Sequence, residues 1–127
     1  MARTRNLARR GAEWLHRKQR DHASQIVIYC RGEDRCQCEA LIGKTEFEAI
    51  DEEGIATITE SRDFLIRADE LTLSTGAIEP RRGDTIHERH TKTTVVYEIN
   101  APKGQRCFAR DLFRDRFRIH TKEIDSY

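Results

Sequence analysis

The chain has 127 residues, the size of one domain; 37% are hydrophobic and 35% charged, with only two prolines, so it reads as a folded protein with a lean core and a densely charged surface. Its formal net charge of +1, from 23 Lys and Arg against 22 Asp and Glu, excludes a strong overall field for nucleic acid. No apolar run approaches the roughly 18 residues of a membrane span, and the basic N-terminus lacks the features of a secretory signal, so no membrane partner is expected and the four cysteines should be reduced thiols in the cytoplasm.

Residues from about Thr4 to Ala23 are predicted to form a basic helix. Leu7, Gly11, Trp14 and Leu15 recur at helical spacing among good helix formers. Arg3, Arg5, Arg9, Arg10, Arg17, Lys18 and Arg20 are opposed between Arg3 and Arg20 only by Glu13, whereas the stretch from Glu46 to Glu70 is dominated by acid. Such polarity suits head-to-tail contacts with further copies or a charged partner, and it equally suits a solvated helix. The apolar stripe is narrow, enough to dock on a sheet or a neighbouring subunit but not to nucleate a bundle.

Gln25 to Cys30 is a β-branched and aromatic run that reads as a strand, Arg31-Gly32-Glu33-Asp34 as a hairpin turn, and Arg35 to Ile42 as the returning strand, ended by Gly43. Thr45 to Ile50 and Ile55 to Arg67 form the next expected pair around Asp51-Glu52-Glu53-Gly54. Ala68 to Leu71 reads as one helical turn that Asp69 could cap, and Leu73 to Ile78 as a loop. Glu79-Pro80-Arg81-Arg82-Gly83-Asp84 is a tight turn, because proline fixes φ and glycine accepts positive φ. A meander follows through Thr93 to Ile99, Arg106 to Arg110 and Phe117 to Lys122, with the charged 121–127 tail leaving it. The expected fold is mainly β, a small β-sandwich or partly open β-barrel with an N-terminal α-helix, in a single domain spanning 1–127 (helix 1–23, β structure 24–127).

Chemistry is sparse. Cys30, Cys36, Cys38 and Cys107 tempt a zinc reading, but Cys-x-Cys within a strand lacks the paired spacing of structural zinc sites, and the cysteines read as small core hydrophobes. His87-Glu88-Arg89-His90 lacks the four-residue histidine spacing of a zinc-protease helix, and His120, next to Ile119, should face solvent or a subunit contact. Arg82-Gly83-Asp84 reads as a turn, not an adhesion signal. There is no phosphate-cradling glycine loop and no nucleophile elbow, so no catalytic residue, cofactor or metal is assigned and no enzyme is expected. The alternative of a different class is a nucleic-acid-binding module using the basic helix and Arg110, Arg114, Arg116 and Arg118 around Phe108, Phe113 and Phe117, although Asp111 and Asp115 interrupt that cluster.

The turn Pro80-Arg81-Arg82-Gly83-Asp84-Thr85-Ile86, the strand ending Tyr97-Glu98-Ile99, the Pro102-Lys103-Gly104 turn, the aromatic strand and the closing Arg118-Ile119-His120-Thr121-Lys122 resemble the head–tail joining proteins of tailed bacteriophages and prophages, of the head closure or adaptor type. Ser61 to Asp69 and Gly11 to Leu15 extend the resemblance over most of the chain. It implies a virion structural protein at the head–tail interface, made in the host cytoplasm. Its subunits would assemble into a homo-oligomeric ring, hexamer or dodecamer, below the portal. That ring would close or extend the channel through which phage DNA passes, with a portal or adaptor protein on one side and tail proteins on the other. Candidate subunit or partner contacts are Leu7, Trp14, Leu15, Arg17, Asp69, Leu71, Arg81, Arg82 and Arg116, with the 31–34 and 68–79 loops as adaptable surfaces.

Overall fold

The computed structural model describes residues 24–113 and 115–127. Its first three strands are β1 (Ser24–Arg31), β2 (Asp34–Ile50) and β3 (Ala56–Arg67). After a 3-10 turn at Ala68–Glu70 come the two-residue strands β4 (Thr72–Leu73) and β5 (Gly76–Ala77). The chain ends with β6 (Thr85–Arg89), β7 (Thr94–Ile99), β8 (Phe108–Asp111) and β9 (Arg116–Ser126). The long strands form one seven-stranded antiparallel sheet in the order β3-β2-β1-β6-β7-β9-β8, and β3 also pairs with β9, so the pairing returns to its starting strand.

Alternation explains where the core sits. Along a strand, successive side chains point to opposite faces. Val27 and Tyr29 on β1, Cys38 and Ala40 on β2, Phe64 and Ile66 on β3, Ile86 on β6, Tyr97 and Ile99 on β7, and Phe117 and Ile119 on β9 all point inward and pack together with Leu71. Phe64 and Tyr97 meet edge to face at 5.3 Å, and Phe108 and Phe117 at 5.6 Å. The core thus draws on strands far apart in sequence and is enclosed by the sheet that supplies it.

Mainly β is as expected, but the expected architecture needs correction. Among the described residues the only helical element is the 3-10 turn, and the predicted N-terminal α-helix falls on residues 1–23, outside the described residues, so the fold seen is sheet without an N-terminal helix. It is not a two-sheet sandwich either: β3, which would be an open edge, hydrogen-bonds to β2 on one side and β9 on the other. Gly43 does not end a strand, since β2 runs through it to Ile50. The 121–127 segment does not leave the sheet: β9 continues to Ser126 along β7 past a bulge, and Thr94 and Tyr127 exchange backbone hydrogen bonds of 2.6 and 2.8 Å. The segment read as a loop at 73–78 contains the small β4–β5 hairpin. Asp69 does not cap the 3-10 turn; its carboxylate takes a hydrogen bond from Arg67 Nη2 at 2.6 Å.

Phe64 is fully buried and touches rings and strands from both halves of the chain, so Phe64→Ala should destabilise the protein by about 3–5 kcal/mol in urea unfolding, with the slope of the transition unchanged.

Candidate functional site

Two surface features stand out, each held by a buried carboxylate. The first is an arm. Beyond Leu41, β2 has left β1, and before Arg62, β3 has not yet met β9, so Ile42 to Ile50 and Ala56 to Ser61 continue as a two-stranded ribbon past the rest of the sheet. An isolated ribbon is marginal in water, so its base and tip must be fixed by other means.

The base is fixed by Asp63, which is fully buried. Its Oδ1 accepts hydrogen bonds from Ser61 Oγ at 2.6 Å and His120 Nδ1 at 2.9 Å, and its Oδ2 accepts from Arg118 Nη1 at 2.7 Å and from the Thr45 hydroxyl. The donors come from β2, β3 and β9, at the place where the arm leaves. Burial alone would raise the pKa of Asp63, but the bonds from Ser61, Thr45, His120 and Arg118 outweigh it and hold the carboxyl below its usual range. Gly43 is opposite Asp63, and a Cβ there would come within 3.3 Å of Arg118 Nη1, so the missing side chain leaves room for the guanidinium. Phe47 completes the cover with its ring edge-on to His120 at 5.1 Å. His120 is therefore buried rather than solvent-facing, because the base of the arm covers the outer face of β9.

Ser61, Asp63 and His120 invite comparison with a catalytic triad, but their geometry is different. Ser61 Oγ, at 3.4 Å, and Asp63 Oδ1 both approach the same ring nitrogen, Nδ1, and the serine hydroxyl lies 2.6 Å from that carboxylate. A triad needs serine and aspartate on opposite nitrogens, so this network positions strands and does not activate a nucleophile.

At the tip, Asp51 Oδ1 accepts from the backbone N–H groups of Glu53 and Ile55 at 2.9 and 2.8 Å, and Gly54 takes φ 81°, which fixes the reversal. The two faces of the arm differ. One carries Thr45, Phe47, Ala49, Thr57 and Thr59, without charge; the other carries Lys44, Glu46, Glu48, Ile50, Ile58 and Glu60. Ile50, Ile55 and Ile58 are exposed at 70%, 56% and 66%, large values for isoleucine.

The second feature is a pair of loops, 79–83 and 100–106. Asp84, buried beneath the first, accepts from Arg31 Nε at 3.0 Å and Nη2 at 2.9 Å and from the Tyr29 hydroxyl. Burial and the hydrogen bond to Asp84 push the Tyr29 phenol well above its usual pKa, which keeps it a donor. Arg82 joins the loops, its Nη1 donating to Asn100 Oδ1 and Ala101 O at 2.8 Å and its Nη2 to Gln105 O at 2.5 Å. Arg81, Lys103 and Arg106 are exposed around it. A further buried carboxylate, Glu88, pairs with Arg62 Nη2 at 2.6 Å, and Arg62 lies over the rings of Phe64 and Tyr97.

The candidate contact residues are scattered over this frame. Arg81 and Arg82 share the loop pair; Asp69 is exposed beside Arg67; Arg116 is half-buried at the start of β9; and Leu71 is fully buried in the core, so its side chain is not on the surface. Leu7, Trp14, Leu15 and Arg17 lie outside the described residues. Cys30, Cys38 and Cys107 are buried free thiols and Cys36 is half-buried; burial, with Cys36 alongside at 3.6 Å, pushes the Cys38 thiol well above its usual pKa. Of the arginines in the aromatic cluster, Arg118 is bound to Asp63, and Arg110 to Asp115 at 2.7 Å. Sequence reasoning gave Asp63, Thr45, Ser61 and Asp84 no part in a site, because they stand among other polar residues and nothing local marks them as buried.

These features describe a structural β protein whose polar interior fixes a projecting arm and a basic loop pair. The chain matches the family described as phage head-tail joining protein over residues 5–127 and belongs to it; its role is that of a virion structural protein at the head–tail interface. No curated protein and no solved structure matches it. Among the described residues, no helix is long and apolar enough to cross a membrane.

Stability should fall in acid through Asp63. A carboxyl whose folded pKa is lowered contributes stability fully above its unfolded value of about 3.9 and loses it as pH falls through the lower folded value. In urea titrations at a series of pH values, wild type should lose stability steeply below about pH 4, while Asp63→Asn starts lower at pH 7 and shows a shallower decline.

Proposed function

We propose that the chain is the repeating subunit of a homo-oligomeric ring below the portal, which closes or extends the DNA channel and presents its other face to the tail. The observation that carries this reading is family membership over nearly the whole chain. The geometry supports it. The arm and the loop pair are polar, exposed and rigidly anchored, as suits surfaces that neighbours must meet in a fixed orientation. The partners in this reading are a portal or adaptor protein, tail proteins and further copies of the chain, with phage DNA passing through the ring. The subunit is made in the host cytoplasm and ends in the virion.

Purified particles analysed by quantitative mass spectrometry should contain the chain at a low, fixed ratio to the major capsid protein. Phage lacking it should accumulate separate heads and tails that join when purified protein is added. Absence from particles, or normal joining without the chain, would overturn the proposal.

A further inference from the structure

The acidic face of the arm is short of positive charge, with Lys44 set against Glu46, Glu48 and Glu60. Glu46 stands directly opposite Glu60, a like-charge cross-strand pair that weakens a ribbon, and Glu48 is next on the same face. Lys44 offers only a long contact to Glu60, at 3.8 Å between two exposed side chains. Asp51, Glu52 and Glu53 continue the charge around the tip, and Ile50, Ile55 and Ile58 lie exposed among these acids. A surface of this composition calls for a basic partner with aliphatic bulk.

Such a surface exists on the same molecule. In the 79–83 and 100–106 loops, Arg81, Arg82, Lys103 and Arg106 are opposed only by Glu79, and the stems of arginine and lysine supply the aliphatic cover. Within one subunit the 100–102 end of the loop pair faces the uncharged side of the arm, where Phe47 and Thr59 share a cleft with Asn100, Ala101 and Pro102. Glu46 and Glu48 alternate with Phe47 and so are on the opposite side, turned away from their own subunit's loops.

We propose that the acidic arm of one subunit docks on the basic loop pair of the next copy of the same chain. Two different patches make a heterologous contact, the kind that propagates from subunit to subunit and closes into a ring. Arg82 sets the shape of the receiving surface by joining its two loops, while Arg81 and Lys103 supply charge. The inference deepens the ring reading and rests on it.

Charge reversal tests it in full-length protein. One variant carries Glu52→Lys with Glu53→Lys, the other Arg81→Glu with Lys103→Glu; all four side chains are exposed. In sedimentation velocity at low salt, each variant alone should associate at least roughly tenfold more weakly than wild type, since like charges then face each other. An equimolar mixture should recover association, because every arm then meets loops of opposite charge, and recovery also shows that both variants are folded. Wild-type association should weaken as salt rises. Variants that assemble like wild type, or a mixture that does not recover, would overturn this contact while leaving the ring reading intact. A wild-type chain that stays monomeric at all concentrations would overturn the contact, and the particle measurement would then decide separately whether the chain is a virion component.

Discussion

The Asp63 carboxylate is the constraint on which the arrangement of the sheet depends. A buried, ionised carboxylate is tolerated only when its oxygens are satisfied, and breaking such a set by removing one partner costs several kcal/mol. Satisfying it here requires Thr45, Ser61, His120 and Arg118 to converge, which fixes β2, β3 and β9 against one another at one point. That point lies where β3 stops pairing with β9 and the ribbon goes on alone. Without the charge, apolar packing would still hold the strands together, but little would specify the angle at which the arm departs.

The same device recurs. Asp84 ties β1 to the Arg81–Gly83 turn through Tyr29 and Arg31, and Glu88 ties β6 to β3 through Arg62. In a small chain with a lean apolar core, non-directional burial gives the sheet its cohesion, and directional bonds to buried carboxylates place its surface features. This division of labour fits a joining protein. Such a protein presents surfaces to the head and tail components that it joins. The polar interior then serves as scaffolding, which explains why a serine, an aspartate and a histidine can lie so close without forming a nucleophile.

Much of the fold was legible along the chain. The β-branched and aromatic run of Ile26 to Cys30, the Asp51 to Gly54 reversal and the Pro80 to Gly83 turn mark local structure, and local structure is what strand propensity and turn chemistry report. Most of the failures are non-local. Gly43 reads as a break because glycine usually is one; its actual partner is Arg118, distant in sequence. His120 reads as exposed because it alternates with Ile119, yet the outer face of β9 is roofed by Phe47 and Ser61. The 121–127 segment looks like a charged tail, but β7 holds it through backbone bonds that do not depend on side-chain type. Asp63 itself, in a Ser-Arg-Asp-Phe run, carries no local mark of burial. The family resemblance was legible because it lies in the turn and strand pattern, whereas the arm emerges only when the strand lengths are compared.

The most direct test of the role of Asp63 is residue-resolved hydrogen exchange on full-length protein, comparing wild type with Asp63→Asn. The expected result is faster exchange in Thr45 to Ile50 and Ala56 to Ser61, with β1, β6 and β7 still protected, since the substitution removes the anchor of the arm and leaves the apolar core in place. Unchanged exchange in those two segments, or an equal loss of protection across the whole sheet, would contradict the claim that this one carboxylate positions the arm.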